Sequence, residues 1–204
     1  GVDVRLGRER DHSAFHIFNA YTGEQVAEFY SNKTPINELA QILTSEANLY
    51  NNASVIIERN TIGNNLIDWM FNVMEYDNLW MDSKNNFGIQ ITSKNREEFL
   101  ARMEEYIRNN FIKINSKRTV GELLTFIVND NGKITADEGK HDDLIMSLSI
   151  TVFLLHTLAG SGPLEMLDDI PEEQKLKPPE PLRSVIHDSF DRELEEDLRW
   201  LMKD

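Results

Sequence analysis

A short apolar run in the first third of the chain constrains the fold more than any other feature. Residues 53–58, Ala-Ser-Val-Ile-Ile-Glu, end in an unbroken apolar stretch that shows no alternation of polar and apolar side chains. Such a run is typical of a strand that is covered on both faces, as in sheets flanked by helices. The rest of the chain must therefore supply layers for both sides of this strand.

The surrounding residues predict strands and helices in alternation. Three strands, over residues 1–5, 12–20 and 25–30, open the chain as an antiparallel meander with a turn at Gly23. Thr34-Pro35 predicts a helix start with Thr34 as N-cap and Pro35 as the first helical residue. The remaining predictions are helices over 34–50, 61–76, 95–109 and 116–124, short strands over 53–58, 79–81 and 111–114, and a hairpin over 126–136. This order predicts an α/β domain with a mixed sheet flanked by helices.

The last predicted core helix runs from about Leu144 to Ala159 and is apolar almost all round. A helix of this kind is expected to be buried. It opens with His141-Asp142-Asp143. Acidic residues at that position ordinarily cap a helix or interact with its dipole.

Length and composition favour one domain over residues 1–162, because 204 residues with 40% hydrophobic side chains can bury a sizeable core. Residues 163–204 hold all but one of the six prolines and are expected to form a Pro- and acid-rich linker followed by an acidic amphipathic helix over 190–202. No apolar run is long enough for a membrane span. Since there is no cysteine, disulfides and thiolate chemistry are excluded.

Three acidic features stand at the ends of the most buried-looking elements: Asp3 in the apolar first strand, Glu58 at the end of the 53–58 run, and the Asp142-Asp143 pair. An unpaired buried carboxylate is costly. Strand ends gather at one edge of an α/β sheet, so Asp3 and Glu58 converge if their strands are neighbours. Each feature also has an ordinary interpretation, as a cap or a solvent-facing strand end.

Carboxylates that converge repel each other unless a cation lies between them. An oxygen-only ligand set suits Mg²⁺ or Mn²⁺. Sites of this type commonly hold two ions roughly 3.5–4 Å apart and carry out in-line phosphoryl displacement.

The net charge of −14 at first argues against nucleic-acid binding, but about half of it lies in residues 163–204. A locally basic groove remains compatible with the composition. Any one of its cations could instead be a solvated surface charge. The candidate phosphate contacts are Arg5, Arg8 and Arg10 beside the first strand, and Lys94, Arg96, Lys117 and Arg118 further along.

The acidic motifs carry a family resemblance. Gly-Val-Asp-Val with Gly-Arg-Glu-Arg-Asp, then Val-Ile-Ile-Glu, then Glu-Gly-Lys-His-Asp-Asp-Leu-Ile-Met-Ser-Leu, resemble in order the C-terminal nuclease domain of large terminase subunits, above all those of T-even-type tailed bacteriophages. The likeness spans residues 1 to about 160. It implies an RNase H-like fold of the Holliday-resolvase type.

The resemblance also implies an activity, namely metal-dependent cleavage of concatemeric viral double-stranded DNA during packaging into the procapsid. It assigns Asp3, Glu58 and Asp143 as catalytic residues and, together with Asp142, as ligands of one or two Mg²⁺ or Mn²⁺ ions. Asp11 falls where the family has another acidic residue near the site. In the alternative interpretation, Asp11 is an ordinary loop aspartate without a role at the site.

The expected partners are DNA bound without regard to sequence, the portal and the small terminase subunit, in the host cytoplasm at the procapsid portal. The resemblance also implies an N-terminal ATPase. It is expected to lie outside this chain, because the chain has no Gly-x-x-x-x-Gly-Lys-Ser/Thr loop and begins inside a strand, as a piece of a longer protein would. Two other functions remain compatible with the sequence. The chain could be a Holliday-junction-type resolvase or a non-catalytic docking module.

Overall fold

The computed structural model describes residues 1–5, 12–128, 134–136 and 142–159. The predicted linker and acidic helix of residues 163–204 lie outside the described residues, as do Arg8, Arg10 and Asp11.

Three antiparallel strands open the chain, as the meander prediction requires: β1 (Val2–Asp3), β2 (Ser13–Phe18) and β3 (Gln25–Ser31), with β2 in the middle. Asp3 lies opposite Ala14, and Phe15 lies opposite Phe29. Buried side chains alternate with partly exposed ones along β3, whereas β2 is buried almost throughout. The sheet therefore has its most covered part around β1 and β2.

The apolar run at 53–58 lies beside β1 and runs parallel to it. Val2 N–H donates to the carbonyl of Ile56 at 3.0 Å, and Glu58 N–H donates to the carbonyl of Val2 at 2.9 Å. Beyond this run, Val55 pairs with Leu79 and Glu58 with Ile89, both in parallel. At the other edge of the sheet, Glu24 of the β2–β3 turn pairs with Lys113.

Parallel bridges from the 53–58 run thus extend the antiparallel sheet of β1, β2 and β3. The predicted strands at 53–58, 79–81 and 111–114 are present as isolated bridges rather than as full strands.

The described helices lie close to their predicted positions. Their bounds are α1 (Ile36–Leu49), α2 (Thr61–Asp68), α3 (Arg96–Arg108), α4 (Lys117–Leu123) and α5 (Asp143–Leu158). The predicted hairpin is formed by β4 (Phe126–Val128) and β5 (Ile134–Ala136), which pair antiparallel. None of the helices in the described ranges is long and apolar enough to cross a bilayer.

Two helix predictions were wrong in detail. Pro35 is the N-cap, with extended ψ of 154°, so α1 begins one residue later than predicted, and Thr34 instead donates to the Ser31 hydroxyl at 2.8 Å. The helix expected over 61–76 changes after Asp68 into a π-helical turn over Trp69–Val73. Hydrophobic periodicity does not distinguish an α-helical turn from a π-helical one, so the sequence did not signal this change.

Helix α5 is buried, as its composition predicts, with twelve of its sixteen residues inaccessible. It packs on β1 and β2 and is covered on another side by α3. The first turn of α5 is buried together with the rest of the helix. Asp143 therefore lies in the protein interior, near the end of β1.

Candidate metal centre

Asp3 and Glu58 meet at one edge of the sheet. Asp3 ends β1 and Glu58 ends the neighbouring parallel run, so their side chains emerge side by side. Asp3 is 0% exposed and Glu58 is half-buried. Glu58 interacts with the Asp3 carboxyl group and raises its pKa. This contact depends on the parallel pairing of Val2 with Ile57. From the sequence, Asp3 and Glu58 were expected to converge only if their two strands were neighbours.

Asp143 reaches the same place from the first turn of α5. Its Oδ2 accepts a hydrogen bond from His12 N–H at 3.3 Å and lies 3.7 Å from the His12 ring Nδ1. Its side chain is only 6% exposed. Three carboxylates separated by up to 140 residues in the chain are therefore neighbours in space.

The guanidinium of Arg5 lies between two of them. Arg5 Nη2 donates to Asp3 Oδ2 at 3.4 Å, and Arg5 Nε lies 3.3 Å from Asp3 Oδ1 and 3.6 Å from Asp143 Oδ1. Among the described residues, neither Arg5 Nε nor Asp3 Oδ1 has a hydrogen-bond partner of acceptable geometry. The guanidinium thus neutralises the cluster by charge while leaving a buried carboxylate oxygen without a hydrogen bond.

The electrostatics of the cluster follow from this arrangement. Burial raises the pKa of Asp3 well above its ordinary value, the Arg5 cation lowers it, and the hydrogen bond and charges of Glu58 and Asp143 raise it further. Burial also opposes the charge on Arg5, but the three carboxylates hold the pKa of Arg5 above its ordinary value. The raised pKa favours the neutral form of the Asp3 carboxyl group.

The Asp142-Asp143 pair divides between two partners. Asp142 occupies the N-cap position of α5, but its side chain makes no capping hydrogen bond. Its Oδ2 instead accepts from Arg96 Nη2 at 2.7 Å. In this conformation Asp143 faces Asp3 and Asp142 faces α3, so the structure brings together three of the four predicted ligands.

Glu122 takes over the capping role and was not found by sequence reasoning. It lies on α4, and its Oε1 accepts from Ile145 N–H in the first turn of α5 at 3.0 Å. Burial raises the pKa of Glu122 to about 8, backbone hydrogen bonds lower it, and the charges of Asp143 and Asp142 raise it. No local pattern marks Glu122, because its role depends on how α4 packs against α5.

Asn60 was also missed, although an Asn before a helix is a capping signal. Its Oδ1 accepts from Ile62 N–H at 3.0 Å and from Gly63 N–H at 2.8 Å. Its amide donates to the Val4 carbonyl at 3.1 Å and to Glu58 Oε2 at 3.3 Å. Asn60 thus ties the start of α2, the end of β1 and the Glu58 carboxylate together.

A buried histidine holds β2 against the first turn of α5. His16 Nε2 donates to the Leu144 carbonyl at 3.0 Å, and His16 Nδ1 accepts from Gln25 Nε2 at 2.8 Å. The neutral Nε2–H tautomer follows, since a carbonyl can only accept. Gln25 Oε1 in turn accepts from the backbone N–H groups of Asn115 and Ser116, each at 2.9 Å.

The predicted phosphate-binding residues are distributed differently from expectation. Arg5 and Arg96 pair with site carboxylates, and Arg118 lies over the Tyr30 ring at 5.3 Å and 3.4 Å from Glu28. Lys94 and Lys117 are exposed on the surface. Their DNA contacts remain a prediction.

The residues present suit an oxygen-coordinated divalent cation. All the side chains at the centre offer carboxylate oxygens, and Asp3 Oδ1 is buried and lacks a hydrogen bond within the described part of the chain. In the conformation described, however, no three His, Cys, Asp or Glu side chains of the described residues are arranged to hold one ion. In the same conformation the Arg5 guanidinium lies between Asp3 and Asp143.

No protein-family model matches the chain. Solved structures do. The large terminase nuclease from thermophilic phage G20c with bound magnesium matches with a TM-score of 0.62 at 18% identity, over 75% of this chain and 78% of that one. The same nuclease with bound cobalt matches with a TM-score of 0.61, also at 18% identity and with the same coverage of both chains.

The large terminase nuclease domain of Thermus phage P74-26 matches with a TM-score of 0.58 at 19% identity, over 74% of this chain and 75% of that one. Similarity at this level of identity supports a shared fold. The assignment to the T-even type stays a prediction. This chain therefore has the mixed α/β fold of the large terminase nuclease domains of thermophilic phages.

Proposed function

We propose that this chain is a metal-dependent endonuclease that cuts concatemeric viral double-stranded DNA during packaging, with Asp3, Glu58 and Asp143 as catalytic metal ligands. The observation that carries the proposal is the convergence of these three carboxylates at one sheet edge. It occurs in a fold shared with phage terminase nucleases, one of which was solved with bound magnesium and with bound cobalt. The finer assignment is an RNase H-like fold of the Holliday-resolvase type.

Each carboxylate is held in place by a different structural element or contact. Asp3 is fixed by β1, which is bonded on both edges, and Asp143 by the buried first turn of α5. Glu58 is held by the Asn60 amide. Such support keeps ligands within the narrow geometry that catalysis requires.

Divalent ions bound here, Mg²⁺ or Mn²⁺ and two in number, would activate a water and stabilise the leaving 3′ oxygen. Asp142 is proposed as a further metal ligand, and Asp11 is proposed to act near the site.

The exposed Lys94 and Lys117, together with Arg5, Arg8, Arg10, Arg96 and Arg118, are proposed to contact phosphates. Such contacts are independent of sequence and weaken with salt. They suit an enzyme that cuts wherever packaging stops. The N-terminal ATPase, the portal and the small terminase subunit are the proposed partners at the procapsid.

The test is plasmid cleavage with a matched pair of variants. Asp3→Asn removes a buried charge at the centre, whereas Asp77→Asn makes the same change at an exposed carboxylate. We expect wild type and Asp77→Asn to nick and linearise supercoiled plasmid in Mn²⁺ or Mg²⁺, and Asp3→Asn to do neither while keeping its circular dichroism spectrum. Cleavage that persists in EDTA or in Asp3→Asn would refute the proposal.

A competition assay separates this function from junction resolution. The wild-type protein should bind linear duplex and a four-way junction with similar affinity. A strong preference for the junction would favour a resolvase instead.

A further inference from the structure

The Arg5 guanidinium is the one cation that the described residues place between two of the proposed metal ligands. We infer that Arg5 is a displaceable internal counter-ion, which occupies the carboxylate centre in the metal-free protein and leaves it when a divalent cation binds. This inference rests on the proposed function, since it concerns how the chain's own residues respond to the metal.

The first argument is position. Arg5 Nε lies 3.3 Å from Asp3 Oδ1 and 3.6 Å from Asp143 Oδ1, so it bridges residues from β1 and α5. A divalent ion held by both Asp3 and Asp143 would occupy the space between these two carboxyl groups, where the guanidinium lies. The guanidinium and the ion would therefore exclude each other, both sterically and by charge.

The second argument is the looseness of the contact. Charge-assisted N–H···O bonds are typically about 2.7–2.9 Å long, and Arg96 meets Asp142 at 2.7 Å. All three Arg5 contacts are longer, between 3.3 and 3.6 Å, and the Arg5 Nε–H has no hydrogen-bond acceptor among the described residues. Arg5 is thus held by charge more than by directed hydrogen bonds, which makes it easy to replace.

The third argument is that the Arg5 side chain is partly exposed and can move out into solvent. Its side chain is 39% exposed, whereas those of Asp3 and Asp143 are 0% and 6% exposed. The guanidinium therefore covers the centre from the solvent side, and rotation about its side-chain bonds carries it outward without opening the core. Arg5 would thus leave on the side from which a metal ion and a phosphate approach.

The test is calorimetric titration of Mn²⁺ into wild type, Arg5→Ala and Arg5→Gln. The control is Arg108→Ala, which removes the same charge from an exposed pair with Glu104 on α3. Two unit charges about 4 Å apart interact with several times the thermal energy even at an effective dielectric constant of about 20. Allowing for partial screening, we expect both Arg5 variants to bind Mn²⁺ about tenfold more tightly and Arg108→Ala to bind like wild type.

A second measurement uses the wild-type protein, in case the Arg5 variants do not fold. The Arg5 Nε–H resonance is followed by NMR as Mg²⁺ is added. It should shift and exchange faster with water in step with metal binding. The control is the Arg108 resonance, which should not change.

The outcomes separate the two proposals. Equal or weaker Mn²⁺ binding by both Arg5 variants, or an Arg5 resonance that is unchanged while Mg²⁺ binds, would overturn the counter-ion role and leave the metal site standing. Absence of metal binding in every protein, wild type included, would instead refute the proposed function on which the inference rests.

Discussion

His16 offers the most quantitative test of how the site is held together. It is 2% exposed and bridges β2 to the Leu144 carbonyl in α5, one residue after Asp143. Burial lowers the pKa of His16 from 6.5 to about 4, outweighing the Glu28 carboxylate 4.0 Å away, which favours the charged form. The experiment lowers the pH and compares the loss of stability of wild type with that of His16→Gln. The amide of this variant can still donate to the Leu144 carbonyl but does not titrate.

The expected magnitude follows from linkage. The unfolded chain takes up a proton at His16 below its ordinary pKa of 6.5, whereas the folded chain does so only near 4. The stability contributed by the neutral imidazole is therefore present above pH 6.5 and is lost as pH falls toward 4. The loss is about 2 kcal/mol by roughly pH 5 and about 3 kcal/mol by roughly pH 4, at 1.36 kcal/mol per pKa unit.

The assay is urea unfolding by circular dichroism at about pH 7.5 and about pH 5, with linear extrapolation to water. His16→Gln has a lower stability at neutral pH but should lose about 2 kcal/mol less than wild type on acidification. The difference between the two losses cancels other groups that titrate in this range. His156→Gln, at the far end of α5, is the control and should keep most of the wild-type pH dependence.

Equal losses of stability in wild type and His16→Gln would refute this reasoning. They would mean that His16 takes up its proton in the folded state as readily as in the unfolded chain. The contact with Leu144 would then not depend on a neutral ring.

Three further predictions concern the residues that hold the carboxylates in place. Glu122→Gln keeps an acceptor for Ile145 N–H and should retain most of the Mn²⁺ affinity measured by calorimetry, whereas Glu122→Ala should lower it roughly tenfold with a stability loss of about 1–3 kcal/mol. Asn60→Ala removes the α2 cap and should cost about 1–2 kcal/mol in urea unfolding, while Asn60→Asp should recover the capping part. Gly63→Ala places a Cβ against the Glu58 carbonyl oxygen, so it should destabilise the protein by about 1–3 kcal/mol and lower its melting temperature. An unchanged melting temperature would contradict this packing.

Much of the architecture was accessible from local patterns. The apolar run at 53–58 and the nearly uniform apolar helix after Asp143 were both identified as buried, and both are. The helix predicted from residue 116 is present as α4, and its N-cap Ser116 accepts from Thr119 N–H at 3.1 Å. These features depend on hydrophobic periodicity and on side chains a few residues apart, which is the information that a sequence displays directly.

The parts that failed are those where tertiary contacts outweigh local preference. Thr34 was expected to cap α1, but its hydroxyl bonds to Ser31 instead. The contact of Arg96 with Asp142 was missed, while the phosphate contact expected of Arg96 stays a prediction. Neither choice of partner can be read from spacing along the chain, because each depends on which elements pack together.

The sequence by itself determined the order and type of most elements and the chemistry available to the site, since periodicity and residue type are local properties. Only the tertiary structure decided how that chemistry is arranged. Asp142 is the non-helical N-cap of α5 and Asp143 is its first residue, and the fold directs Asp143 toward Arg5 and Asp3 while Asp142 binds Arg96. The pairing of β1 with the 53–58 run brings Glu58 to Asp3, and the packing of α4 brings Glu122 to α5, because both contacts depend on register and packing in three dimensions.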